Sequence, residues 1–155
     1  MKQFTILMQK KTQRPVLRLK DFYDYDAMLD TGALFPVWVE EEDILIDLGA
    51  SIVSEDVEFG GFGGSAHGKL YVLPLLKIGN LVFPNLHIIA CQMDLPCQMI
   101  LSATMFRNLI YEIDDYNHRF NVTIPDTESE VRNLMIWDKE GKLHVAVSSA
   151  DMENV

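Results

Sequence analysis

Ala27-Met28-Leu29-Asp30-Thr31-Gly32-Ala33 is an apolar strand that ends abruptly in a polar, glycine-containing turn, and Val37-Trp38-Val39 resumes the strand beyond it. Hydrolysis of a peptide bond without a nucleophilic side chain or a metal needs a base to activate water and an acid to polarise the carbonyl. Two carboxyl groups held close together supply both, because the pair shares one proton and titrates as a unit. A carboxyl serving that purpose belongs on a rigid turn with its oxygens open to a cleft. Asp30-Thr31-Gly32, directly after Met28-Leu29, has that form. Thr31 is placed to hydrogen-bond across and lock the turn, and Gly32 lets backbone N–H groups approach the carboxylate. The plainer reading is that Asp and Gly are ordinary turn residues at a strand end.

Working outward, most of the chain reads as strand. Upstream, residues 4–8 and 16–19 are short β-type runs around Thr12-Gln13-Arg14-Pro15, an opening hairpin. The amino terminus has a polar residue inside its apolar stretch and no small-residue cleavage site, so it reads as a first strand rather than a signal peptide. Downstream, Glu40-Glu41-Glu42-Asp43 opens Ile44-Leu45-Ile46-Asp47-Leu48-Gly49. Acidic residues at the positive end, a shared face for Ile44, Leu45 and Leu48, and Gly49 as the C′ residue predict a short helix. That helix also disposes of Asp47-Leu48-Gly49 as a second catalytic turn.

Residues 52–90 are β again: a long hairpin with a glycine-rich tip, then a second hairpin turning at Gly79-Asn80. Gln98-Met99-Ile100-Leu101 reads as a buried strand, and Ser102 as the N-cap of a second short helix over 102–108. A third hairpin turns at Asp114-Asp115-Tyr116-Asn117. Past Pro125, a polar linker to Arg132 leads into two short strands, 134–137 and 143–147. The expected architecture is all-β: a small closed barrel over residues 1–125 with two short helices, and an extension over 126–155.

Composition narrows the function classes. The 155 residues are 48% hydrophobic, enough for one core, and no apolar run approaches bilayer length. A net charge of -10 argues against a nucleic-acid partner, which needs a basic face. Cys91 and Cys97 match no zinc spacing and suit a reducing compartment, where thiols behave as small core residues. His67, His87, His118 and His144 are scattered without ligand spacing. Met93, Met99 and Met105 read as core filler. The expectation is a cytoplasmic protein with no metal, no cofactor and no membrane attachment.

Two further segments bear on Asp30. Phe59-Gly60-Gly61-Phe62-Gly63-Gly64 forms the tip of the long hairpin; no Lys-Ser/Thr or helix follows it, so it is no phosphate loop. Met99-Ile100-Leu101-Ser102 is followed by Phe106. Taken together, Leu29-Asp30-Thr31-Gly32-Ala33 resembles the active-site motif of retropepsin-like aspartic proteases, the glycine-rich tip resembles their flap, and Met99 to Phe106 resembles their second signature. The turn at residues 114–117 and Arg119-Phe120 resemble their closing hairpin. The likeness runs in the right order from Met28 to Ile124.

The resemblance implies a closed acid-protease barrel and an aspartic endopeptidase. It would act as a homodimer in which both Asp30 residues meet on the two-fold axis. Asp30, Thr31 and Gly32 would form the catalytic turn. Ala33, Phe59, Gly60, Gly61, Phe62, Gly63, Gly64, Ile100 and Ser102 would line the peptide site. Phe59 and Phe62 either contact substrate or pack the hairpin. The family's second signature has glycine where this chain has Ser102. Either serine fits there as an N-cap, or it distorts the loop and leaves an inactive peptide-binding or dimerisation module. The extension at 126–155 lies outside the resemblance and is a candidate dimer interface or cap.

Overall fold

In the computed structural model, which describes residues 2–10, 14–61, 64–125, 135–137 and 143–145, the apolar run at 27–29 lies in an inner strand of a sheet. It forms β3 (Tyr25–Asp30), antiparallel to β2 (Val16–Leu19) and parallel to β8 (Met99–Ser102). The sheet continues through β4 (Val37–Trp38), β7 (Leu81–Ala90), β6 (Gly64–Ile78) and β5 (Ser51–Gly61), in the order β2-β3-β8-β4-β7-β6-β5. A second sheet has the order β1-β10-β9, built from β1 (Lys2–Leu7), β10 (Arg119–Ile124) and β9 (Ile110–Asp114). In the extension, β11 (Met135–Trp137) and β12 (Leu143–Val145) pair antiparallel. The expected linker at 126–132 lies outside the described residues.

Period-2 alternation explains why the central strands read as unbroken apolar runs. Ala27 and Leu29 of β3, and Met99 and Leu101 of β8, face a larger core; Met28 and Ile100 between them face a smaller one. A sheet covered on both faces has no polar side to alternate with. The larger core joins the two sheets through Ile6, Phe120 and Val122. The smaller one lies where Val57 and Phe59 of β5 meet Phe35, Val37 and Ile100.

Three expectations change. No closed barrel forms among the described residues: β2 and β5 are the outer strands of an open seven-stranded sheet. The opening hairpin shrinks to a bridge between Met8 and Leu17, because β1 pairs along its whole length with β10, from Lys2↔Ile124 to Leu7↔Arg119. The second helix is a 3-10 turn, Ala103–Phe106, ended by an extended Arg107 (φ -61°, ψ 142°). The outer strand β5 carries Glu55, Asp56 and Glu58, charges of the kind that keep an exposed edge from pairing.

The first helix forms as expected. α1 (Glu42–Asp47) has Glu42 and Asp43 in its first turn, Leu45 buried, and Gly49 beyond it at φ +96°. Leu45 and Leu48 take the core side, and Ile44, about 100° further round, stays on the surface. Glu42 ties α1 to the sheet: the Tyr71 hydroxyl donates to its Oε1, and Lys69 Nζ donates to its Oε2 at 3.2 Å. The Tyr71 bond, reinforced by Lys69, holds the Glu42 carboxyl below its ordinary 4.5. Burial, then the adjacent Glu42, pushes Tyr71 up to about 12.

Because the folded value of Glu42 lies below the unfolded one, its contribution is present above the unfolded value. It is lost as pH falls through the folded value. Glu42→Gln is therefore expected to flatten the loss of stability on the acid side of pH 4.5. At neutral pH it should cost less than about 1 kcal/mol, the pair being partly solvent-screened. Urea midpoints at both pH values check this. Among the described residues, no helix is long and apolar enough to cross a membrane.

Candidate active site

Strand register decides where Asp30 goes. It is the last residue of β3, paired with Ser102 of β8, and two positions on from Met28, so it faces the smaller core. The chain turns at once: the Gly32 N–H donates to Asp30 Oδ1 at 3.0 Å, and the Ala33 N–H to the Asp30 carbonyl at 3.1 Å. Gly32 has no left-handed backbone. A Cβ there would meet only Asp30 Oδ1, at 3.4 Å, an ordinary contact. Thr31 is exposed, and its hydroxyl has no partner among the described residues.

Facing this turn is an open cleft of about 770 Å³, roofed by β5 and β6. Of the expected site residues, Asp30, Gly32, Ala33, Phe59, Gly60, Gly64 and Ile100 line it. Among the described residues Asp30 is the only carboxylic acid on its wall. Phe59 answers both readings given for it: it is buried edge-on against Phe35, with ring centroids 5.5 Å apart, and still borders the cleft. Gly61 closes the hairpin opposite Gly64, and Phe62 and Gly63 lie outside the described residues.

Several lining residues escaped the sequence reading. Met93 packs against the smaller core as expected and also borders the cleft, as do Phe35 and Val37, whose apolar run right after the turn was a usable signal. Arg14 brings the one cation on the described wall, and nothing in its sequence surroundings marked it.

Ser102 does not reach the cleft; it is fully buried behind the Asp30 turn. Its backbone is extended (φ -96°, ψ 150°), a conformation open to any residue, so serine fits here without strain. It stands at the N-cap position but makes no side-chain capping bond, because its hydroxyl turns to Thr104 instead.

Other chemistries find less support among the described residues. Burial pushes the Cys91 and Cys97 thiols up, away from the thiolate a nucleophile needs. His67 pairs with Asp56 at 2.9 Å, both well exposed and neither on the cleft wall. Among the described residues, no group of three His, Cys, Asp or Glu side chains is gathered in metal-binding reach.

No protein-family model matches the chain, and no curated protein matches it in sequence. Among solved structures, a retropepsin-like aspartic protease from Rickettsia conorii is similar to it, with a TM-score of 0.54 over 79% of this chain and 91% of that one. The two are 14% identical, so what the likeness shows is a retropepsin-like fold.

Proposed function

We propose that the chain is an aspartic endopeptidase that works as a symmetric homodimer, with Asp30 from each copy forming the catalytic pair. The observation that carries this is the placing of Asp30 as the only carboxylic acid on the described cleft wall, on a turn that points a backbone N–H at its carboxylate. One acid cannot be both base and acid, so a second copy has to bring the other. The exposed Thr31 hydroxyl, next in the chain, suits a bond across such an axis.

In the proposed reaction a peptide lies extended between the β5–β6 hairpin, acting as a flap, and the floor at Gly32 and Ala33. Closure excludes bulk water. The ionised Asp30 takes a proton from the remaining water as its oxygen attacks the carbonyl carbon, and the protonated Asp30 gives its proton to the carbonyl oxygen. Collapse of the tetrahedral diol breaks the C–N bond as the carboxylate that gave up its proton takes one back from a diol hydroxyl. The nitrogen leaves protonated by the carboxyl that received the water's proton. The strain-free backbone at Ser102 favours this reading over an inactive module.

Incubation with a diverse peptide mixture between about pH 4 and pH 7, read by mass spectrometry, is the test. Cuts are expected, with specific activity declining on dilution as the dimer dissociates. A folded dimer that cuts nothing at any pH sinks the reading and leaves a peptide-binding or dimerisation module.

A further inference from the structure

Ser102 is the one buried polar residue among the described residues, and it lies next to Asp30 in the strand ladder. A buried hydroxyl has to be satisfied. Ser102 Oγ lies 2.8 Å from Thr104 Oγ1, and Thr104 Oγ1 donates to the Leu34 carbonyl at 2.8 Å. The single proton of Thr104 is committed to that carbonyl, which has none to give, so Ser102 is the donor of the first bond. Two hydroxyls thus form a directed relay from behind β8 to the far end of the Asp30 turn.

The turn is held at both ends by the same segment. Its start is ladder-paired, Asp30 with Ser102, and its end is the Leu34 carbonyl bound by Thr104. Between them the Gly32 and Ala33 N–H groups close onto Asp30. The Leu34 side chain is 59% exposed, so packing does little to anchor that end and the carbonyl bond matters more. We propose that Ser102 and Thr104 are positioning residues, which fix the Asp30 carboxyl by holding the Leu34 carbonyl. This rests on the proteolytic reading of Asp30. The serine that departs from the glycine of the family motif then has a use: it orients the threonine.

Thr104→Val removes the donor at nearly constant shape, and Thr104→Ser keeps it. Thr104→Val is expected to lower kcat about tenfold while leaving KM close to the wild-type value. It should also speed amide exchange at Gly32 and Ala33 about tenfold, with Leu29 and Ile100 unaffected. Thr104→Ser should restore both, and Ser102→Ala should reproduce the valine effect more weakly. Equal exchange at Gly32 and Ala33 in wild type and Thr104→Val overturns the relay, whether or not the protein cleaves peptides. Faster exchange with wild-type kcat removes its role in positioning for catalysis. Faster exchange in a protein whose wild type cuts nothing supports the relay and overturns the proteolytic reading of Asp30. Exchange is followed by NMR on the full chain.

Discussion

Asp30→Asn is expected to abolish the proposed peptide cleavage, lowering kcat by at least about 10³-fold, while the protein stays folded. The amide is nearly isosteric with the carboxyl, and its oxygen still accepts the hydrogen bond that the Gly32 N–H makes to Oδ1 at 3.0 Å. Asp30 is half-buried at the end of β3, with its backbone in the ladder to Ser102, so the turn keeps its frame. What the amide cannot do is ionise or share a proton, and in a homodimer one substitution removes both members of the pair. Mixed subunits sharpen the test. A dimer with one carboxyl and one amide also lacks the shared proton. An equal mixture that exchanges freely should therefore retain only about a quarter of the activity, not half. Full activity in the variant would mean that the cuts come from another site. Half activity in the mixture would mean that each copy works alone.

The parts of this site that depend on local chemistry were legible in the sequence. Met28-Leu29 and Ile100-Leu101 announced buried strands because a sheet covered on both faces leaves no polar position. Gly49 and the Gly79-Asn80 turn were readable because each glycine occupies a left-handed backbone that other residues avoid. The Asp30 turn was readable for a similar reason, an abrupt change from apolar to polar within one residue. Parts that depend on distant partners were not. The alternation of β1 says that it belongs to a sheet but not that its mate is β10, at the far end of the domain, rather than its neighbour β2. A closed barrel and an open sheet therefore look alike from the residues. Arg14 reaches the cleft only because the chain before β2 passes it. Ser102 was legible as a capping residue, but its hydroxyl had a choice of acceptors, and Thr104 Oγ1 took it in place of a helix N–H.

Phe106→Ala is expected to produce the largest loss of stability, about 3–5 kcal/mol, measured by urea or guanidinium unfolding. Phe106 is buried at the seam between the sheets. Its ring lies 6.3 Å from that of Phe83 on β7, and 5.7 and 5.3 Å from those of Tyr111 on β9 and Phe120 on β10. Removing it deletes three edge or tilted ring contacts together with the apolar area they bury. The void cannot readily collapse, because its walls are strands whose spacing is fixed by their own ladders: β9 against β10, and β7 against β6. Against a typical total of about 5–15 kcal/mol, such a loss takes a large share of the margin. Phe106→Leu, which keeps most of the volume, should cost distinctly less, under about 1.5 kcal/mol. A loss below about 1 kcal/mol for the alanine variant would mean that the two sheets can close over the gap, and that the aromatic seam is not what joins them. The position also bears on the site. The 3-10 turn that delivers Phe106 to the seam begins directly after Ser102 and contains Thr104, so the ring that locks the sheets also anchors the segment standing behind Asp30. Loosening it should therefore speed amide exchange at Gly32 and Ala33 before global unfolding is reached, linking the core to the turn through a single short element.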